Sequence, residues 1–169
     1  SWLLLKGDKK NGIMHLKRSL TLNEKYIDKI LTSMAIAGLS FDEMENAIPR
    51  KPSSVIAFAK FLDNTGQREK AKQWYIDALE LSEQYQENTL GHLSTIYHYF
   101  LKKEDLINAM EVALRGEKIS PQEPWYKVAL GDLYLRQDVE FKAKEKYEEA
   151  LLVDPQNKRA FNKLQRLSP

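Results

Sequence analysis

Residues 124–157 read PWYKVALGDLYLRQDVEFKAKEKYEEALLVDPQN, and the reading of this stretch decides the fold. Leu130-Gly131, Tyr134, Ala143, Tyr147, Ala150-Leu151 and Pro155 occur at spacings that suit two antiparallel helices joined by a short turn. Gly131 on the first helix and Ala143 on the second are small where the two helices would cross closely. Leu130, Tyr134, Tyr147 and Ala150 are then positioned to fill the space between this pair and its neighbours. Pro155 cannot continue a helix interior, so it closes the second helix.

The same pattern returns upstream. A step of 34 residues carries Ala143 to Ala109, Pro155 to Pro121, Leu130 to Ile96 and Tyr134 to Phe100. In this copy Tyr97 stands where Gly131 does, while Ala113 and Gly116 replace Tyr147 and Ala150. That exchange reads as a volume-conserving swap across one helix pair. A further copy holds Phe58-Ala59, Leu62, Gly66, Ala71, Tyr75 and Ala78-Leu79. Ala71 and Ala109 are 38 positions apart, so extra residues are expected in the second helix or in the turn around 83–88. Trp74, beside Tyr75, is expected to pack on the adjoining helix pair.

This pattern resembles the tetratricopeptide repeat (TPR), a 34-residue helix–turn–helix unit. The resemblance implies an all-α fold, a right-handed superhelical solenoid of antiparallel helix pairs. It divides the chain into partial and degenerate repeats over 1–52, three repeats over 53–157, and a C-terminal capping helix over 158–169. In the first part, Gly7, Gly12, Leu16 and Ser19-Leu20 map onto the second half of a repeat. A helix follows over 24–37, capped by Asn23 and stopped by Gly38, and Ser40 to Glu43 form a capping box for a short helix through Ala47, closed by Pro49 and Pro52. At the far end Ala160, Phe161, Leu164 and Leu167 make an apolar stripe opposite Lys158, Arg159, Lys163 and Arg166, as a solenoid's last polar-faced unit requires.

Composition narrows the function. Apolar residues make up 43% of the 169 and charged residues 30%, enough for a packed core, with a net charge of only +2. Such a balance gives no concentrated basic face for nucleic acid. No cysteine is present, which excludes disulfides, thiolate metal sites and a cysteine nucleophile. His15, His92 and His98 fall in no metal-ligand spacing, and the sequence has no nucleophile elbow and no phosphate-cradling glycine loop. No enzyme, no cofactor and no metal is therefore expected. No apolar run approaches the roughly 18 residues of a membrane span. The chain opens on Trp2, Leu3, Leu4 and Leu5 without Met or a polar cap, so it is expected to be a soluble piece of a larger protein, its compartment undetermined. Those four residues are also a candidate surface for self-association.

TPR arrays bind peptides or protein segments on the concave face lined by their first helices, and the resemblance implies the same here. The inward positions are Ile56, Lys60 and Asp63, then Ser94, His98 and Lys102, then Trp125, Val128, Asp132 and Arg136. Trp125, a large aromatic near the start of its helix, is the expected anchor of a groove of mixed charge. Some TPRs hold the carboxyl terminus of a chaperone through Lys and Asn on successive first helices. Lys60, His98 and Asp132 occupy the equivalent places, and Asp132 is expected to repel a carboxylate. A second reading makes the chain a regulatory or structural appendage of a membrane-bound or enzymatic protein. The segment Ala47-Ile48-Pro49-Arg50-Lys51-Pro52 is similar to the TPR tails of bacterial polysaccharide polymerases and ligases.

Overall fold

The computed structural model describes residues 7–85 and 88–167. The proposed self-association residues, Trp2 to Leu5, lie outside them. The chain divides into two compact units, one ending at His92 and one beginning at Leu93.

The first unit starts with α1 (Lys9–Leu22), whose N-cap Asp8 accepts from the Asn11 backbone N–H. Asn23 then caps a single 3-10 turn (Glu24–Tyr26), which feeds α2 (Ile27–Ile36). One helix was expected over 24–37; its first turn is tighter because Asn23 accepts from Lys25 two residues on. Gly38, at φ +72°, takes the left-handed backbone that ends α2. Ser40 and Glu43 form a reciprocal capping box at α3 (Phe41–Glu45). Pro52 does not close this stretch. It occupies the first turn of α4 (Pro52–Asn64), where its missing N–H is no loss.

Helix α4 pairs with α5 (Arg68–Gln84). At 17 residues α5 is three longer than either of the corresponding helices α7 and α9 described below, so the insertion lengthens this helix. Trp74 packs within its own pair, its ring meeting Phe58 edge-on at 4.6 Å, with the Arg50 guanidinium over the face. Met34, Met44, Ile48, Phe58 and Leu62 complete a core with almost no exposure.

The second unit holds most of α6 (Thr89–Lys102), then α7 (Leu106–Ile119), α8 (Pro124–Arg136), α9 (Glu140–Val153) and α10 (Lys158–Leu167). The turns after α4, α6 and α8 share one geometry. Gly66, Glu104 and Asp138 have φ of +83°, +59° and +58°, and the next N–H bonds back to Leu62, Phe100 and Tyr134. This is the Schellman closure that satisfies a helix's last carbonyls.

Two close approaches set the packing of this unit. A Cβ on Gly131 would stand 2.5 Å from the Tyr147 ring, and one on Gly116 only 2.1 Å from the Tyr126 ring. The space at Gly116 is thus filled from α8. Tyr97 also turns to α8, its ring edge-on to Trp125 and its hydroxyl donating to the Ala129 carbonyl at 3.3 Å. The expected volume swap within one helix pair is therefore replaced by partners on the following helix. Glu117, in the last turn of α7, accepts from Lys127 of α8 at 3.2 Å and from Lys146 of α9 at 3.1 Å. Burial pushes Glu117 up, but the hydrogen bonds and charges of Lys146 and Lys127 prevail and hold it below the usual glutamate value.

Helix α10 covers the end of this core. Ala160 is buried with Val128, Ala143, Tyr147 and Ala150, and Leu164 and Leu167 lie against them. Phe161, expected on the same stripe, is instead 51% exposed. It follows Ala160 by one residue, which turns it about 100° away around the helix.

Candidate protein-binding surface

The inward positions are best followed one unit at a time. In the first, Ile56 is in the core, where α2 lies against α4, so it is unavailable to a partner. Lys60 is exposed and Asp63 half-buried. In the second, Val128 is also a correction, since α10 packs over it together with Tyr147 and Ala150. Ser94, Trp125 and Asp132 are half-buried, and His98, Lys102 and Arg136 are exposed.

Two groups emerge among the residues of the second unit. The first is aromatic. Pro124 starts α8, and the Glu123 carboxylate accepts from the Trp125 backbone N–H at 3.3 Å, which fixes where the indole leaves the helix. Trp125 then stands edge-on to Tyr97 and to Tyr126, both at 5.2 Å, and 6.2 Å from the His98 imidazole. His98 Nδ1 donates to the Ser94 carbonyl at 2.6 Å, which orients the ring. Tyr97 is buried, and that burial, followed by the negative charge of Asp132, pushes its pKa up to about 12. It is a neutral donor at every physiological pH. An indole on a rigid aromatic bed beside an exposed imidazole suits an apolar or aromatic side chain of a partner.

The second group centres on Asp132, whose side chain is only 13% exposed. Gly131 admits the Tyr147 ring, and the Tyr147 hydroxyl reaches Asp132 Oδ1 at 2.8 Å. From α10, Lys163 approaches the same carboxylate at 2.9 Å and Arg159 pairs with its other oxygen. Burial pushes Asp132 up, but hydrogen bonds from Lys163 and Tyr147 and the charges of Arg159 and Lys163 outweigh it, so the carboxyl is held below the usual aspartate value. Desolvation and the Asp132 hydrogen bond raise Tyr147 in turn. Asp132 was expected to act as a free negative charge in the groove. It is instead a counter-ion already surrounded by cations. Sequence reasoning missed Arg159 and Lys163 as its partners, because 27 and 31 residues of chain separate them from it; their signal was an apolar stripe carrying cations on its reverse.

The structure also contains a cavity of roughly 720 Å³ in the first unit that no motif announced. Glu24, Lys51, Ser53, Gln84, Tyr85 and His92 are among its walls. Glu24 accepts from Ser53 and lies 3.5 Å from Lys51. Burial lowers the His92 pKa, opposed by the Glu24 charge, and its Nδ1 has no hydrogen-bond partner among the described residues. Among the described residues no group of three or more His, Asp or Glu side chains is arranged to hold a metal, and no helix is long and apolar enough to cross a membrane.

Known proteins share this helical architecture. The family profile described as tetratricopeptide repeat matches residues 53–85, which span α4 and α5. Among solved structures, the first TPR of Spaghetti (RPAP3), bound to the HSP90 peptide SRMEEVD, is 14% identical. The match covers 72% of this chain and 94% of that one, with a TM-score of 0.55. YrrB, described as a TPR protein with an unusual peptide-binding site, is 15% identical over 95% of this chain and 86% of its own, at a TM-score of 0.57. MamA is 15% identical over 98% and 80%, at 0.55. No curated protein matches the chain in sequence. The chain is all-α and shares the fold of these tetratricopeptide-repeat structures, with the repeat profile itself matched over residues 53–85. The similarity to polysaccharide polymerase and ligase tails finds no support in these matches.

Proposed function

We propose that this chain holds a segment of another protein, with the Trp125 face of the second unit as the anchor. The observation that carries this reading is the half-buried indole, set on Tyr97 and Tyr126 and flanked by the exposed His98. A large aromatic held rigid before binding loses little entropy when it is covered, which is why such residues dominate interface energetics. The peptide complex of the RPAP3 repeat and the peptide-binding site of YrrB support the same use of this fold. Ser94, His98, Lys102 and Arg136 are the further contacts of this reading in the second unit, and Lys60 and Asp63 are separate candidate positions in the first. Ile56 and Val128 belong to the scaffold. In the same reading, residues 53–157 supply the three binding repeats, 1–52 are partial repeats and 158–169 the cap. The reading assigns no catalysis to this chain.

Selection of a displayed random-peptide library against the wild-type chain and against Trp125→Ala tests the anchor. The wild type is expected to enrich peptides sharing one large apolar residue, and the variant to bind those peptides at least about tenfold more weakly. Equal binding by a folded Trp125→Ala variant would sink the proposal.

A further inference from the structure

Helix α10 does more in this structure than cover the core. Its sequence, KRAFNKLQRL, carries four cations and no acidic residue in ten positions. Among the described residues one carboxylate answers them. Asp132 engages Arg159 and Lys163, while Lys158 and Arg166 form no ion pair among the described residues. One negative charge thus holds two positive side chains in place and still leaves an excess. The guanidinium of Arg159 has five N–H donors, more than one carboxylate can use.

Two clefts share these side chains. One, of roughly 370 Å³, is lined by Arg136, Arg159 and Lys163 with Leu101, Leu135 and Asp132. The other, of roughly 390 Å³, is lined by Lys158, Arg159, Asn162, Lys163 and Arg166. Arg159 and Lys163 belong to both, so the two form a single positive track. Its spacing has a meaning. Positions four apart on a helix rise about 6 Å, and alternate residues of an extended chain are about 6.6 Å apart. Cations at 159 and 163 therefore match acidic side chains at every second position of an extended segment.

We propose that α10 is a recognition ridge for an extended acidic protein segment running along the helix, its alternate carboxylates meeting Arg159 and Lys163. This rests on the reading that the chain holds a protein segment, and it assigns that segment's charge. Asp132 is a positioning residue in it, orienting the two cations that the partner meets. Leu101 and Leu135 give one cleft apolar walls that accommodate the stems of Glu side chains. The track is one short helix long in a chain of net charge +2, too small a positive area to grip a nucleic-acid backbone.

Fluorescence anisotropy with a labelled peptide of alternating Glu and Ser tests the ridge. Binding is expected at low salt and is expected to weaken steeply from about 50 to 200 mM as screening shortens. Lys158 and Arg166 form no ion pair among the described residues but line the same cleft as Arg159 and Lys163, so the double variant Lys158→Glu, Arg166→Glu is expected to keep its helicity by circular dichroism while affinity falls by about tenfold or more. Amidating the peptide's C-terminus is expected to leave affinity unchanged; a strict need for the free acid would make the occupant a chain end and overturn the proposal. Equal affinity of the double variant, or of a Lys–Ser peptide, overturns it too, as does tighter binding of a single-stranded RNA of the same length. Trp125→Ala is expected to retain the salt-sensitive binding of the acidic peptide. Loss of library peptides by that variant, with the ridge titration intact, separates failure of one proposal from failure of the other.

Discussion

Lys60 and Asp132 hold the same place in two helix pairs, each one residue after the small residue at the close crossing, Ala59 in α4 and Gly131 in α8. Their fates differ. Lys60 projects into solvent with no ion pair among the described residues, while Asp132 is nearly covered and binds Tyr147, Arg159 and Lys163. Register fixes where a side chain leaves the helix. What lies within its reach then decides whether it serves the scaffold or a partner. Glycine contributes to that reach, because Gly131 brings the Tyr147 ring, and hence its hydroxyl, against the α8 backbone.

The largest effect that would break this comparison is expected at the crossing itself. Gly131→Ala puts a methyl group 2.5 Å from the Tyr147 ring, a contact that must be relieved by moving a buried aromatic. A destabilisation of about 1–3 kcal/mol in urea unfolding is expected, against about 1 kcal/mol or less for Ala59→Gly in the other pair. Equal costs would mean the two crossings are not distinguished by Tyr147.

A middle effect belongs to the charges. Asp132→Asn removes two ion pairs and weakens a hydrogen bond in a mostly covered site, costing about 1–2 kcal/mol near neutral pH, whereas Lys60→Ala stays within about 0.5 kcal/mol. The folded pKa of Asp132 is depressed, so its contribution is complete above the unfolded value near 4 and disappears as pH falls through the lower folded value. Unfolding curves of wild type and Asp132→Asn are therefore expected to converge in acid. A gap that stays constant down to about pH 2 would assign the loss to packing and not to charge.

The smallest effect sharpens the comparison at the turns. Gly66 adopts its left-handed backbone freely, while Glu104 carries a side chain at the corresponding place. Glu104→Gly is expected to stabilise by about 0.5–1 kcal/mol, seen as a higher denaturation midpoint. Asp138→Gly should give less, because Asp tolerates that conformation better than Glu.

Much of this fold was legible because its determinants are local. The Leu130-Gly131 pair, the Ser40 and Glu43 box and the stop at Gly38 are each written within a few residues. Of the aromatic group, the register read Trp125 and His98 as inward positions, and their rings stand 6.2 Å apart. It could not show Asp132 as a counter-ion, since that role depends on Arg159 and Lys163 arriving from another helix. Nor could periodicity tell that Val128 would be covered: the position faces inward, and only the seating of α10 over it removes it from a partner's reach. Tyr97 was out of pattern for a related reason, its partner Trp125 being a long-range contact.

Glu117 has a consequence for how the second unit comes apart. Helical repeats ordinarily contact only their neighbours, so they fray from an end one step at a time. A carboxylate on α7 that grips Lys127 on α8 and Lys146 on α9 ties α7 to both helices of the following pair. Opening α7 breaks both ion pairs at once, and opening α8 or α9 breaks one of them. The amides of α7, α8 and α9 should then exchange with solvent as one cooperative block, its boundary drawn by a single side chain.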